Sequence, residues 1–410
     1  MKFISANWLL KCDDDFTIIK NAAIVFDEKI IDIGTIEELQ LKYNNTHIEY
    51  LGDNSVIMPG LINTHVHLEF SANKTTLKYG NFVKWLFSLI EHREELIEKA
   101  SKKVIDKELS KILANGTTTI GAISSYGFDM DSCIQSPLNV VYFSEIIGSK
   151  AEMLDTLFID FQAKLQSALA HTSNNFIPAI AIHSPYATHP FLIREVLQIA
   201  REKNMIVSAH FQESKAENDW LNYSIGEFEA FFKNMLDQHK SLIKPSEFLN
   251  LFKNIKHLSF THCVEANEKE LAQIKELGAT ITHCPNSNRL LNNSILNMSY
   301  LKDIRIAMGT DGLSSNNTLN MFKEIRNAFF MHTKLDPNSL AQKLILASTQ
   351  GGAHALGLDK GILEKGYDAD IITFKLPDKC DSSEDVASSV ILHTTKTTHT
   401  YIKGIDELNK

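Results

Sequence analysis

The stretch "GLINTHVHLEF", residues 60–70, joins an apolar run to two histidines, His65 and His67, that are separated by one valine. Side chains at positions i and i+2 of a strand point the same way, so both imidazoles can face one point. Histidine pairs of this kind also occur by chance in loops. The stretch alone therefore leaves a metal site and an incidental pair open, and the rest of the chain has to decide.

Composition limits both the architecture and the partners. A chain of 410 residues is long enough for one large barrel and a minor domain. The formal net charge of −9 does not suggest the positively charged surface that binds nucleic acid, which argues against nucleic acid as a partner. No apolar run approaches the ~20 residues of a membrane span, and the first residues lack the pattern of a signal peptide. We therefore expect a cytoplasmic protein with no membrane partner.

Short apolar runs alternate with helical stretches in the middle of the chain, which is typical of repeated βα units. The runs cover residues 59–64, 117–123, 138–144, 176–182, 205–209, 257–261, 279–282 and 305–309. Eight such units predict an α/β fold, a (β/α)8 TIM barrel. Strand-like text at both ends predicts a small β-sandwich domain built from both termini. We assign 1–58 plus 357–410 to this β domain and 59–356 to the barrel, with an extra helical insertion within 211–255.

Metal-competent side chains follow most of these runs. They are His65 and His67 after the first run, His183 after the fourth, His210 after the fifth, His262 after the sixth, His283 after the seventh and Asp311 after the eighth. The C-terminal strand ends of a TIM barrel form its active-site face, so these side chains are expected to converge. One strand-end histidine is more often a packed core residue, but packing hardly explains so many at the same position.

The motifs around these residues resemble those of the amidohydrolase superfamily, in its deaminase and chlorohydrolase branch. "PGLINTHVHL" matches the H-x-H opening, "SAHFQE" matches H-x-x-E, and "MGTDGLSSNN" supplies the aspartate. "THCPNSN" and "GILEKGYDADIITF" match further segments, and the resemblance covers essentially the whole chain. Within this branch, "ANWLLKCDDDFTIIKNAAIVFDEKIIDIG" and "NTHVHLEFSANKTTLKYGNFVKWL" are similar to the aminofutalosine deaminases.

The resemblance implies one divalent metal ion held by His65, His67, His210 and Asp311. Imidazole and carboxylate ligands suit Zn²⁺ with a position left open for water, and ligand type alone leaves Fe²⁺ or Mn²⁺ open. Relatives with two metal ions usually bridge them with a modified lysine on the fourth strand. The segment "FIPAIAIHS" holds no lysine, so a single ion is expected.

The resemblance also implies catalytic roles for Glu213, His262 and Asp311. Asp311 and His262 are expected to accept the proton of the attacking water and to steer it. Glu213 would move a proton to the ring nitrogen beside the attacked carbon, which makes that carbon electrophilic. A carboxyl group with this role needs a tuned pKa.

Aminofutalosine deaminases act on a 5′-modified adenosine with a carboxyphenyl group, in the futalosine route to menaquinone. We therefore expect a small nucleoside as partner, and deamination of 6-amino-6-deoxyfutalosine to futalosine and ammonia. Deamination of adenosine, methylthioadenosine or S-adenosylhomocysteine is the alternative. Two further alternatives are a chlorohydrolase or amidase and, last, a non-catalytic purine-binding barrel. Homodimers are common among relatives, which leaves a homodimer open here.

Candidate substrate contacts are polar and aromatic residues predicted near the barrel mouth. They are Glu69, Phe70, Trp85, Ser144, Glu145, Ser149, His183, His283 and Arg289. His183 lies in "HSPYAT", which resembles the segment that approaches the ribose in nucleoside deaminases. Phe70 and Trp85 offer apolar surface for an aromatic ring, and Arg289 is the candidate partner of the carboxylate.

Overall fold

The structure is a computed structural model and describes residues 1–73 and 76–410. Its strands are β1 (Lys2–Leu10), β2 (Ile18–Phe26), β3 (Ile30–Thr35), β4 (Glu49–Tyr50), β5 (Ser55–Pro59), β6 (Leu61–Val66), β7 (Thr117–Ser124), β8 (Asn139–Ile146), β9 (Phe176–Ile182), β10 (Val207–Phe211), β11 (Leu258–His262), β12 (Thr280–His283), β13 (Ile306–Met308), β14 (Ile371–Lys375), β15 (His399–Ile402) and β16 (Ile405–Asp406). Its α-helices are α1 (Ile36–Lys42), α2 (Phe82–Glu91), α3 (Arg93–Lys99), α4 (Lys102–Ala114), α5 (Met130–Gln135), α6 (Leu154–Ala170), α7 (Pro190–Glu202), α8 (Lys215–Tyr223), α9 (Glu227–Leu236), α10 (Pro245–Leu251), α11 (Glu268–Glu276), α12 (Pro285–Asn292), α13 (Met321–Met331), α14 (Pro337–Ala347), α15 (Gln350–Ala355) and α16 (Ser383–His393). None of the helices in the described chain is both long and apolar enough to cross a membrane.

The central sheet has eight parallel strands that pair in chain order from β6 to β13. These strands coincide closely with the eight predicted runs. Their side chains are almost all buried, because helices cover the outer face and side chains fill the interior. The prediction of a (β/α)8 TIM barrel is confirmed.

The seam between β6 and β13 is held by hydrogen bonds from single residues. In the described chain the strand ladder ends at these two strands without pairing them. The backbone N–H of Asp311 donates to the carbonyl oxygen of His65 at 3.0 Å, and the N–H of Thr310 donates to Oδ1 of Asn63 at 3.0 Å. The barrel is thus nearly closed at the strand ends that carry two of the predicted metal ligands.

The second sheet is built from both termini, as predicted for the small β domain. Its strand order is β16-β15-β14-β5-β1-β2-β3, with β4 beside β1. Strands β15 and β2 lie far apart in this order, yet the rings of Tyr401 and Phe26 pack at 5.2 Å. The sheet therefore folds over itself into two layers. The domain boundaries at 58/59 and 356/357 stay a prediction.

The helical insertion expected within 211–255 consists of α8, α9 and α10. Helix α9 packs Phe232 on the indole of Trp220 at a ring distance of 4.6 Å, and the neighbouring Phe231 is also buried. This aromatic contact holds α8 and α9 together, and the ring of Phe228 on α9 packs at 4.8 Å on that of Tyr186, which follows β9. The insertion brings an apolar helix to the C-terminal ends of the strands.

A buried ion-pair cluster joins the terminal sheet to the barrel. The Lys360 ammonium lies 2.7 Å from carboxylate oxygens of both Asp368 and Asp370. The side-chain amide of Asn139, on barrel strand β8, donates to the same Asp370 carboxylate at 2.9 Å. Asp370 thus depends on Lys360, whose side chain is 10% exposed, and Asp368 is shared between Lys360 and the exposed Lys29.

Replacing Lys360 by methionine is expected to destabilise the fold, by on the order of 3 kcal/mol at pH 7, because the buried Asp370 carboxylate loses its cation and Asp368 keeps only Lys29. Burial raises the pKa of Asp368, but Lys29 and Lys360 outweigh burial and hold that pKa below its ordinary value. A lowered carboxylate pKa adds stability above the unfolded-state pKa, and this stability is lost as pH falls through the folded-state pKa. The cost of the substitution is therefore full at pH 7 and smaller below about pH 4.

Urea unfolding of the wild type and the Lys360→Met variant, at pH 7 and at a pH below about 4, measures the loss of stability. Lys379→Met is the matched control, because Lys379 pairs with Asp381 at an exposed surface and such pairs contribute about 0–1 kcal/mol. Equal losses of stability in the two variants would contradict a structural role for the buried cluster.

Candidate active site

A cavity of about 510 Å³ opens at the C-terminal ends of the barrel strands. Its inner wall carries His67, His210, Glu213, His262 and Asp311. All five side chains are buried. Much of the remaining wall is aromatic or aliphatic and comes from helices α2 and α9 and from the segment that follows β8. The cavity therefore joins a polar inner end to an apolar outer part.

Three imidazoles converge at the inner end. Nε2 of His67 lies 3.1 Å from Nε2 of His65 and 3.4 Å from Nε2 of His210. Two of the Nδ1 atoms have partners: Nδ1 of His210 donates to the carbonyl oxygen of His183 at 2.6 Å, and Nδ1 of His65 lies 3.3 Å from the hydroxyl of Thr261. These contacts orient the rings so that the Nε2 atoms face one another.

Asp311 completes this cluster. Its Oδ1 lies 3.8 Å from Nε2 of His65 and 3.6 Å from Nε2 of His67. The hydroxyls of Ser287 and Ser315 each donate to Oδ2 at 2.7 Å. Burial raises the pKa of Asp311, but the imidazoles of His67 and His65 outweigh burial and hold the pKa below its ordinary value. Asp311 thus places a hydrogen-bonded side-chain carboxyl group beside the imidazoles of His65 and His67.

The donor set fits a divalent metal ion. Burial lowers the pKa of His65 well below its ordinary value and that of His210 to about 3. Neutral imidazoles with facing lone pairs in a buried space are unfavourable unless a cation lies between them. Three imidazole nitrogens and one carboxylate oxygen are ligands that suit zinc. When bound there, such an ion supplies Lewis acidity that makes water a better nucleophile near neutral pH.

A second cluster unites Glu213, His262 and Asp311, whose ligand atoms lie within 4.8 Å of one another. Nδ1 of His262 donates to Oδ1 of Asn288 at 2.8 Å. This leaves the Nε2 lone pair free, 3.5 Å from Oε1 of Glu213. Burial raises the pKa of Glu213 well above its ordinary value, and the charges of Asp311 and Glu217 raise it further. The cluster thus pairs a carboxyl group that favours its protonated form with an imidazole and a carboxylate that accept protons.

The backbone at these strand ends is unusual. His262 has φ +74 and Asp311 has φ +58, both in the left-handed region. Non-glycine residues there carry strain, which clusters at functional sites. The turn directs both side chains from the strand ends into the cavity.

Comparisons with known proteins agree with this geometry. The sequence model described as "Amidohydrolase family" matches residues 56–405. The chain belongs to the amidohydrolase family. As a member of this family it is a hydrolase that acts on C–N bonds, and its deaminase relatives support the same activity.

Three similar proteins are deaminases. The aminodeoxyfutalosine deaminase of Nitratiruptor sp. is 44% identical over 394 residues, which is 96% of this chain and 97% of that protein. The adenosine deaminase of Helicobacter pylori is 32% identical over 98% of both chains. The crystal structure of H. pylori aminofutalosine deaminase with methylthio-coformycin superposes with a TM-score of 0.93 at 30% identity, covering 98% of this chain and 99% of that chain.

Some of the predicted substrate contacts of this amidohydrolase do line the cavity. They are Phe70, Trp85, Glu145, Ser149 and His183. The indole N–H of Trp85 donates to the carbonyl oxygen of Ser314 at 2.8 Å, which fixes the ring in the wall. Phe70 packs its ring 6.2 Å from that of His67. Apolar surface therefore begins directly beside the imidazole cluster.

Glu69 and Ser144 lie outside the cavity lining, and their assignment as substrate contacts stays a prediction. The Glu69 carboxylate accepts backbone N–H groups of residues 125–128 at 2.7–3.3 Å. It supports the loop after β7 instead of facing a ligand. Ser144 precedes Glu145 on β8, and successive side chains on a strand point to opposite faces. Glu145 lines the cavity, so Ser144 points away from it.

His283 and Arg289 also lie outside the lining. Nε2 of His283, at the end of β12, lies 3.0 Å from Nε2 of His332 at the end of α13. This buried pair lies behind the cavity wall. Arg289 is exposed on α12. The role of Arg289 as the partner of a carboxylate therefore stays a prediction that the cavity lining does not support.

The sequence did not single out several residues that line the cavity. They include Arg93, Tyr126, Lys150, Phe231 and Phe232. Tyr126 follows the second run by a few residues, so the strand-end rule that identified the histidines applies to it as well. The phenylalanines belong to the insertion, and no strand position in the sequence marks where they pack.

The His65→Ala variant is expected to lose its metal ion, because one of the converging nitrogens is removed. Removal of an outer-shell partner already weakens metal binding about 10- to 100-fold, and the loss of a direct ligand should exceed that. Metal content per chain, measured by mass spectrometry after purification, tests this. His171→Ala is the control, because His171 is exposed on the surface. Equal metal content in both variants would refute the assignment of His65 as a ligand.

Proposed function

We propose that this amidohydrolase removes ammonia from the adenine ring of a 5′-modified adenosine, with 6-amino-6-deoxyfutalosine as substrate and futalosine as product. The reaction would belong to a route to menaquinone. Support comes from the relative named aminodeoxyfutalosine deaminase, at 44% identity over 96% of this chain. The H. pylori structure with methylthio-coformycin, which matches over 98% of this chain, also favours this class of substrate.

The observation that carries the proposal is the shape and polarity of one cavity. Its inner end places Glu213 beside His262 and Asp311. Its outer part is apolar and carries rings from Trp85 and Phe231. A purine ring at the inner end would reach the proton-transfer groups, and an aromatic 5′ substituent would cover the apolar wall. A smaller base alone would leave that wall without a partner.

The residues of the inner end account for the proton movements of the reaction. Asp311 takes one proton from the attacking water while Glu213 donates its proton to the ring nitrogen beside the attacked carbon. A C–O bond forms, and the carbon becomes tetrahedral. Asp311 then protonates the amino group, and the C–N bond breaks to release ammonia. Glu213 recovers a proton from the new hydroxyl group, and neutral His262 orients these groups through its free Nε2.

We propose Zn²⁺ as the resident ion, held by His65, His67, His210 and Asp311. Nitrogen-rich sites with one carboxylate are common for catalytic zinc. Fe²⁺ and Mn²⁺ bind similar ligands, and elemental analysis of the purified protein distinguishes the three. The oligomeric state follows from light scattering on the same sample, and we propose a homodimer by analogy with relatives.

A substrate panel tests the proposed reaction. The metal-loaded protein is expected to release ammonia from aminofutalosine with a higher kcat/KM than from adenosine, 5′-deoxyadenosine, methylthioadenosine or S-adenosylhomocysteine. The reason is that only the first substrate covers the apolar wall. Ammonia release and the change in adenine absorbance provide the readout. Equal or faster turnover of another adenosine would keep the chemistry and reject aminofutalosine as the preferred substrate.

Glu213→Gln is expected to lower kcat by at least about 100-fold, because general acid–base catalysis typically contributes 10²- to 10⁴-fold. Metal content should remain at the wild-type value. Glu265→Gln is the matched control, because Glu265 is a half-buried carboxylate outside the cavity lining. Substantial turnover by the Glu213→Gln variant would remove Glu213 from the reaction.

A further inference from the structure

The proposed substrate brings a carboxylate into a cavity whose inner wall is acidic. Glu145, Glu213 and Asp311 all lie on that wall. Among the described lining residues, the cationic side chains are Arg93 and Lys150. Like charges repel and opposite charges attract strongly in a partly buried site. The carboxylate should therefore point away from the reacting end and toward one of these two cations.

We propose that Arg93 binds the carboxylate of the 5′ substituent at the open end of the cavity. This inference rests on the proposed function and names the residue that gives it specificity. Arg93 begins α3 and is exposed, whereas His210 and Glu213 at the inner end are buried. The two ends of the cavity thus bind opposite ends of one extended molecule.

The guanidinium of Arg93 is held by an aromatic ring. Its central carbon lies 4.9 Å from the ring centroid of Tyr126. An arginine stacked on a ring keeps its N–H edge free for a bidentate bond to a carboxylate. Within the described chain Arg93 forms no ion pair, and the nearby Glu95 pairs with Lys99 and His92. Among the described residues, the guanidinium of Arg93 therefore has no carboxylate partner of its own.

The tyrosine that supports Arg93 is itself fixed. Tyr126 lies in the loop after β7, whose backbone N–H groups bind the buried Glu69 carboxylate. The bonds from Ser125, Tyr126 and Gly127 measure 2.7, 3.0 and 2.8 Å. Several hydrogen bonds from consecutive backbone N–H groups to one buried side chain hold a loop firmly. The backbone of Tyr126 is thus held in place, and its ring packs on that of Phe128 at 6.0 Å.

Lys150 is the competing cation, and the geometry favours Arg93. Lys150 is exposed in the segment after β8. A lysine ammonium is a strongly hydrated point charge on a flexible stem, so ordering it for one ligand is costly. Arg93 offers a planar fork that its aromatic neighbour already orients. The two residues therefore form a matched pair of variants for one experiment.

The test compares Arg93→Met with Lys150→Met, since both substitutions keep an apolar stem and remove the charge. Arg93→Met is expected to raise KM for aminofutalosine about 10- to 100-fold, as loss of a charged hydrogen bond does. Its kcat should stay within about twofold, and KM for methylthioadenosine, which has no carboxylate, should not change. Arg93→Lys should restore part of the loss. Lys150→Met should leave kcat and KM for aminofutalosine near the wild-type values.

A binding measurement separates this inference from the proposed function. Calorimetry with aminofutalosine compares Glu213→Gln with the double variant that also carries Arg93→Met, so that turnover plays no part. A 10- to 100-fold increase in Kd in the double variant supports Arg93 even if the wild type does not deaminate this nucleoside. Equal Kd values for these two variants would overturn the role of Arg93 alone. No binding by Glu213→Gln would overturn both proposals.

Discussion

The hydrogen bond from the N–H of Asp311 to the carbonyl oxygen of His65 joins the last strand of the barrel to the first. Every other neighbouring pair of barrel strands shares a ladder, but this seam depends on a few bonds from single residues. The seam lies at the strand ends that carry the imidazoles. The hydrogen bond that helps to close the barrel therefore also positions Asp311 at the inner end of the cavity.

Much of this arrangement could be predicted from the sequence. Parallel strands that pair in chain order must bring their C-terminal ends to one face. A histidine directly after an apolar run therefore has a known location before any side chain is placed. His65, His67 and His210 meet at that face, and Asp311 stands beside them. Their roles in metal binding remain a prediction of the sequence and the geometry together.

The rest of the site depends on side-chain directions that position alone does not determine. Ser144 and Glu145 are adjacent, yet only Glu145 belongs to the cavity lining, because strand alternation separates them. Glu69 has the position expected of a ligand contact, but backbone N–H groups bind its carboxylate. Arg93 lies on a helix outside the barrel strands, so no strand position in the sequence indicates where its side chain lies. The structure locates that side chain through its contact with Tyr126.

The seam has a consequence for how the molecule matures. His65 lies on the first barrel strand and Asp311 follows the last, so nearly the whole barrel is synthesised between them. A growing chain that has not yet released residue 311 from the ribosome cannot present the complete ligand set. Metal binding would then follow barrel closure, and a bound ion would connect β6 to the segment after β13, the two strands that share no ladder in the described chain.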